Sequence, residues 1–418
     1  MLRTVSHLLL FFWLAIASDA AIGSVPQIKV VTEGESRANA DACRGILIGP
    51  GVNQPDPFPG YGGFVGWESP VRLKSGVWIV GFNAGYWHAS PPTPVHYPAP
   101  TLAEYRKMGM PADINAPTGG RAMFIRSTDE GKTWSKPQTL IDTPADDRHP
   151  AFVQLRDGTV LCCFFTYMGQ PEDDDFAKHP ELATHVDVIR SFDDGKTWEK
   201  KPIVIKTPFL SDEADGPFVL MKDGAVVLAI NGRPKTGPPD EAAVVRSTDR
   251  GETWQVLSTV KTSHDIWELS VAELHDGTMV MIARPEGDIW WSHDHGHTWT
   301  APVSFGMRMF APSLTVLRDG TLVCLHGSYA PGASGLRMIF STDGGKTWIA
   351  PAKDHGFLID HSYGYGKPME LPDGSLYIVY IATGGHRAED AKQNGIRCIR
   401  VRIRPDHSGI DLLPAPNR

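Results

Sequence analysis

The sequence predicts an all-β chain folded as a six-bladed β-propeller of four-stranded antiparallel blades, and three observations predict it. An octapeptide recurs five times, a series of tight Asp-Gly turns joins apolar runs, and the two series alternate strictly along the chain. Six units of this kind point to closed radial repetition, an arrangement that protects sheet edges.

The octapeptide reads Ser127-Thr128-Asp129-Glu130-Gly131-Lys132-Thr133-Trp134 and returns at Ser191–Trp198, Ser247–Trp254, Ser292–Trp299 and Ser341–Trp348. Ser, Asp, Gly, Thr and Trp keep their offsets in every copy. The Asp carboxylate can accept nearby backbone N–H groups, Gly supplies a positive φ, and the hydroxyls satisfy further turn groups. Trp folds its apolar face under the hairpin. One acid per loop cannot imitate a calcium loop, so each copy reads as scaffold. The run His293-Asp294-His295-Gly296-His297 imitates a metal cluster, but it fills variable slots of the fourth octapeptide and faces no second shell that can be named.

The second series lies at Asp157-Gly158, Asp223-Gly224, Asp276-Gly277, Asp319-Gly320 and Asp373-Gly374, with a degenerate sixth at Ser75-Gly76. Each is a hairpin signal between two strand-like runs. One unit is therefore four strands, with the first and third turns marked. The last hairpin lacks an octapeptide. Its sheet continues in Ile396–Ile403, and Gln27–Thr32 is expected to add the outermost strand and close the ring. The largest insertion, Ala89–Gly120, is rich in proline and falls within the first unit.

The first twenty residues read as a signal peptide, with Arg3 at the positive end, an apolar Leu8–Ala17 and a small-residue exit at Ser18-Asp19-Ala20. Residues 21–418 then form one propeller domain, secreted or periplasmic, with no membrane partner after cleavage. The net charge of −8 offers no electrostatic case for nucleic acid. Five cysteines follow no paired spacing, which argues against a disulfide framework, and no metal or cofactor motif is present.

First strands of blades begin at the channel mouth. Nine residues before each turn glycine stand Trp67, His149, Asp215, Glu268, Ala311 and Tyr365; seven after stand Asn83, Phe165, Asn231, Arg284, Gly327 and Ile381. Four of the first six are polar, whereas a packed channel favours small or apolar residues, because unpaired charge is costly to bury. A polar ligand site is expected there, extended by Glu68, Arg148, Glu213, His361, Tyr363 and Lys367. Glu268 and Arg284, nearly symmetric about Gly277, are expected to meet, either in a site or as a structural ion pair.

These motifs resemble the sialidase superfamily, whose six-bladed propellers carry repeats of this octapeptide form. The segment Glu268-Leu269-Ser270-Val271-Ala272-Glu273-Leu274-His275-Asp276-Gly277 followed by Arg284 is similar to the one that carries the glutamate partner of the nucleophile and one arginine of a carboxylate-binding triad. Tyr365-Gly366-Lys367-Pro368-Met369-Glu370-Leu371-Pro372-Asp373-Gly374 resembles the segment bearing the tyrosine nucleophile. The resemblance implies a retaining glycoside hydrolase, with Tyr365 attacking the anomeric carbon, Glu268 as its base and an aspartate as acid/base. A tyrosine nucleophile departs from the usual carboxylate pair. It suits an anionic sugar, which would repel a carboxylate nucleophile.

The chain departs from the family pattern in four places. Gly66-Trp67-Glu68-Ser69-Pro70 replaces a first-blade segment that supplies an arginine, and Arg337 lies too close to Ser341 to be the arginine expected before the fifth octapeptide. Ile381 stands where a glutamate is usual. The acid/base aspartate has no clear counterpart: Asp113, Asp215 and Glu213 are the candidates. The expected function is an exported hydrolase of a terminal, acidic glycan sugar, with Tyr365, Glu268 and Asp215 catalytic and Arg284, Arg148, His149, Glu213, Trp67, Glu68, Lys367, Tyr363, His361, Asn83 and Asn231 binding substrate. Another terminus bound through Arg148, His149, Asp215 and Lys367 stays open. The rivals are a non-catalytic carbohydrate-binding propeller and a protein-binding scaffold.

Overall fold

A computed structural model describes residues 25–31, 36–37, 39–55, 63–92, 99, 103, 119–304, 306–384 and 393–418. The expected leader over residues 1–20, Asp113 and most of the Ala89–Gly120 insertion lie outside the described residues.

Six sheets follow one another along the chain. Blade one is Phe64–Arg72, Trp78–Gly85, Arg121–Ser127 and Gln138–Ile141; blade two is Asp146–Gln154, Val160–Tyr167, His185–Ser191 and Ile203–Val204. Blade three has an inner strand in two pieces, Phe209–Glu213 and Val219–Leu220, then Val226–Pro234, Glu241–Ser247 and Gln255–Val260. Blade four is Trp267–Glu273, Met279–Arg284, Asp288–Ser292 and Val303–Ser304. Blade five is Met309–Val316, Leu322–Ser328 and Leu336–Ser341, with Thr347–Ala350 and Phe357–Asp360 sharing the outer place. Blade six is Gly366–Glu370, Leu376–Ile381 and Ile396–Ile403.

The ring closes differently from the expectation. Gln27–Val30 pairs in parallel with Thr347–Ala350, at the outer edge of blade five. Gly45–Ile48 instead pairs with Ile396–Cys398 of blade six, while Ile410–Leu413 covers the other half of the Ile396–Ile403 strand. Burial explains the choice. Leu47 and Ile48 are fully buried against the sixth and first blades, whereas Gln27–Val30 is mostly exposed and packs only Ile28, partly buried, against the core between blades four and five.

Both turn series have repeating hydrogen bonds. At all six tight turns the residue three before the glycine donates its N–H to the carbonyl of the residue that follows the glycine, as in Leu155 to Thr159 and Leu73 to Val77. The Ser75-Gly76 turn thus matches the five Asp-Gly turns. In every octapeptide the Ser hydroxyl donates to the Asp carboxylate at 2.8–2.9 Å and accepts from the Gly N–H at 2.8–2.9 Å. The residue before that glycine is also left-handed, with φ between 59° and 63° at Glu130, Asp194, Arg250 and His295. The sequence shows no glycine there to announce it in those four copies.

Apolar side chains fill the six seams between neighbouring blades, and each seam has its own core. The octapeptide tryptophans join these cores; Trp348 is wholly buried. All five cysteines are buried and free. The first strands of all six blades surround an axial cavity of about 300 Å³, lined among others by Ser69, Phe152, Phe218, Val271, Ser313 and Lys367.

Candidate functional site

A repeated irregularity builds the channel mouth. The inner strands of blades one, two, four and five each slip register, between Gly66 and Ser69, Arg148 and Ala151, Trp267 and Ser270, and Phe310 and Ser313. Within each slip one non-glycine residue takes a positive φ: Trp67 at 55°, His149 at 54°, Glu268 at 51° and Ala311 at 49°. These are four of the six positions counted back from the turn glycines. A β-bulge re-aims a side chain, and a left-handed non-glycine residue costs on the order of 1–3 kcal/mol, strain that concentrates at functional sites.

Glu268 sits at the centre of a hydrogen-bonded group. Its Oε1 accepts from the Tyr365 hydroxyl and, at 2.8 Å, from an Arg284 guanidinium nitrogen; its Oε2 accepts from the Ala311 backbone N–H at 2.5 Å. Arg284 donates through Nε to the Tyr329 hydroxyl at 2.8 Å. Burial and the Glu268 charge push the Tyr365 hydroxyl well above the usual phenol range, so it stays protonated and acts as donor. Arg284 is partly desolvated, yet Glu268 more than offsets this and holds the guanidinium charged.

An aromatic wall surrounds that group. Trp67 lies edge-on to Tyr365 at 4.8 Å and stacks on His149 at 4.8 Å and 10°. Tyr363 stacks on Tyr365 at 5.3 Å, and Phe310 approaches both. The Arg148 guanidinium rests 5.1 Å from the Trp67 ring and 5.5 Å from Phe165 and Tyr167, and donates to the His88 carbonyl at 3.3 Å.

Carboxyl groups behind this wall differ in charge. Asp215 accepts from His149 Nδ1 at 2.8 Å, and Lys367 donates to the Asp215 backbone carbonyl at 2.8 Å. Burial pushes the Asp215 carboxyl up, but His149, Lys367 and Arg148 outweigh it and hold the group ionised. Glu213, two residues away, responds in the opposite sense: burial and then the Asp215 charge push it up to about 8, with Arg148 offsetting only part. Burial also raises Glu68 well above the carboxylate range, with Lys367 opposing it, and lowers both Lys367 and His149.

The structure therefore brings together Tyr365, Glu268, Arg284, Tyr363, Trp67, His149, Asp215 and Arg148, with Lys367, Glu68 and Glu213 behind them. Three sequence-predicted residues lie elsewhere. His361 is exposed and lines a separate cleft between blades five and six with Arg44, Asp360 and Arg397, because the segment before Tyr365 still follows the outer strand Phe357–Asp360. Asn83 donates to Asp146 Oδ1 at 2.9 Å and the Asp147 carbonyl, tying blade one to blade two. Asn231 faces a side cleft beside Glu213. Arg337 donates to the Ala333 and Gly356 carbonyls, remote from Tyr365. Sequence reasoning missed Tyr329, two residues beyond the counted Gly327, and His88, the edge-on neighbour of Trp67. It also passed over Ala311 as apolar, because a backbone N–H exposed by a bulge leaves no mark in a residue list.

A family described as BNR repeat-like domain matches residues 149–378, more than half of the chain. A sialidase of Bacteroides fragilis is 24% identical over 310 residues, covering 62% of this chain and 54% of that protein. A xyloglucanase of a Paenibacillus species is 29% identical over 181 residues, 37% of this chain and 17% of that protein. The chain thus spans about half of the one relative and a sixth of the other. Among solved structures, a protein of unknown function from Dyadobacter fermentans superposes with a TM-score of 0.63 at 20% identity, over 83% of this chain and 97% of its own. Sialidase structures share the same fold. With the propeller, the repeats and the matched segment in agreement, the chain belongs to the BNR repeat-like family of the sialidase superfamily.

Proposed function

We propose that the chain is an exported glycoside hydrolase that removes a terminal acidic sugar from a glycan with retention of configuration. One observation carries the reading: the Tyr365 hydroxyl donates to a Glu268 carboxylate that Arg284 and the Ala311 N–H hold in place. The relatives named sialidase and xyloglucanase support a glycoside hydrolase-like propeller, and Arg3 with the apolar Leu8–Ala17 supports export.

In the first step Glu268 takes the Tyr365 proton as the phenolic oxygen attacks the anomeric carbon. The bond to the leaving oxygen breaks, and that oxygen receives a proton from Glu213, the carboxyl that stays protonated at neutral pH. Asp215, called catalytic from sequence, is ionised and bound to His149, which suits it to positioning rather than to donating a proton. In the second step water attacks the same carbon, Glu213 accepts its proton, and Tyr365 leaves and recovers its hydrogen from Glu268. Arg284 and Arg148 supply the positive field for the substrate carboxylate.

Non-catalytic glycan binding is the second reading, favoured by the commitment of Arg284 to Glu268 and Tyr329. Activated glycosides of sialic and uronic acids, tested with the native chain and Tyr365→Phe, separate the two. Product release that depends on the Tyr365 hydroxyl supports hydrolysis; binding with no product from any of them overturns it.

A further inference from the structure

We propose that a side cleft between blades two, three and four, floored by Asn231 and walled by Trp267, holds an uncharged second sugar of the glycan whose acidic terminal residue occupies the central pocket. The assignment rests on the hydrolase reading for the terminal residue and adds the chemistry of the group it leaves.

The cleft has a volume of about 390 Å³ and opens beside Glu213, within the size range of small-ligand sites. Trp267 is among the few large apolar side chains exposed, at 37%. Its ring does not hang free: Nε1 donates to Asp240 at 3.2 Å, and Arg284 lies 5.9 Å from the ring. An aromatic face fixed at the rim of a polar cleft suits the C–H face of a pyranose, apolar on one side and polar at its edge. Asn231 is 97% buried, and its amide oxygen has no protein partner among the described residues. A buried polar atom left so is a group that a ligand hydroxyl can satisfy.

Charge decides which sugar fits. Arg233 is bound to Asp240 at 2.5 Å and Asp174 at 2.8 Å, so its charge is already matched. Asp265 accepts the Asp240 N–H at 2.8 Å and adds a further acid to the wall. The wall is net negative and disfavours a second carboxylate, whereas on the axial side Arg284 and Arg148 offset the Glu268 and Asp215 charges. Glu213 stands at the junction, where its proton meets the oxygen between the two sugars. Asn231 lies opposite Glu213 across adjacent strands.

The test uses the full chain with Tyr365→Phe, which retains the pockets and lacks the nucleophile. Sialic acid and glucuronic acid are titrated calorimetrically, each free and each linked to a neutral hexose. The linked acid is expected to bind at least tenfold more tightly, and Asn231→Ala or Trp267→Ala to bring that ratio close to one, with Trp267→Phe retaining most of it. A ratio within twofold before substitution, or one unchanged in both variants, overturns the cleft assignment. If no acid binds in either form, the terminal-residue reading fails separately. The Trp267 indole N–H signal is then followed by NMR with neutral methyl hexosides, and a shift that saturates supports the cleft while a flat response overturns it.

Discussion

Tyr365 and Glu268, 97 residues apart in the chain and on blades six and four, share one hydrogen bond at the channel mouth. The carboxylate is aimed by its own strained backbone, with φ at 51°, and held by Arg284 and Ala311. Removing the base while keeping its shape should therefore slow the first step without disturbing the mouth. Glu268→Gln is expected to reduce kcat about 10²–10⁴-fold on an activated glycoside, with Tyr365→Phe at least as low. Full turnover in either variant, with folding checked by circular dichroism, removes the proposed chemistry.

Glu213 should report itself through pH. Its carboxyl is pushed up to about 8, so the proton-donating form falls away as pH rises through that value. Activity on substrates with poor leaving groups is expected to decline above about pH 8, and Glu213→Gln to flatten that limb. The Asp215 charge is part of what raises Glu213, so Asp215→Asn should move the alkaline limb to lower pH. A limb that stays in place in both variants assigns the proton to another group.

Stability should also depend on pH, in a direction unusual for acidic residues. Burial pushes Asp146 and Asp212 up to about 6, Asp187 to about 7, and Asp147 and Glu213 to about 8. The folded chain then keeps protons that the unfolded chain has released above about pH 4. Unfolded carboxylates bind fewer protons than folded ones in this window, so stability falls as pH rises from about 5 to 8 and levels off above. The octapeptide aspartates, lowered to about 2 at Asp193 and Asp294 by hydrogen bonds that outweigh their slight burial, act only below that window. Urea unfolding at pH 5 and pH 8.5 is expected to differ by on the order of a few kcal/mol in favour of the acid side. Equal midpoints would refute it.

The architecture was legible because its signals are local: the Ser-Asp-Gly-Thr-Trp spacing and the Asp-Gly turns mark six units whatever the rest of the chain does. The counting rule also reached Trp67, His149, Asp215, Glu268 and Tyr365 at the mouth, since turn geometry fixes strand length to within a residue. It could not see the bulges that turn Trp67, His149, Glu268 and Ala311 inward, because a positive φ at a non-glycine residue is imposed by tertiary contacts. Nor could it tell that Gly45–Ile48, rather than Gln27–Thr32, completes blade six: both runs look like strands, and only the buried face of Leu47 and Ile48 separates them. The opposite protonation of Asp215 and Glu213 is equally invisible in sequence, because it depends on which of two neighbouring acids meets His149.

The octapeptides allow a prediction that leaves the mouth untouched. Asp193 accepts from the Ser191 hydroxyl at 2.8 Å, the Thr197 N–H at 2.9 Å and the Thr197 hydroxyl at 2.7 Å, all within one turn on the side of the ring away from Tyr365. Arg126 of blade one donates to the Asp194 carbonyl at 3.0 Å, so this turn also fastens the seam between blades one and two. Replacing Asp193 by Ala leaves the buried Ser191 hydroxyl and the Thr197 N–H without that acceptor. The turn is largely exposed and water can stand in for part of the loss, so the cost should be about 1–2 kcal/mol. Denaturant unfolding is expected to show this loss while kcat/KM on a responsive glycoside stays within twofold of native. A matching fall in kcat/KM at temperatures where the variant is fully folded would mean that the two faces of the propeller are coupled through blade two, and the scaffold role would have to be abandoned.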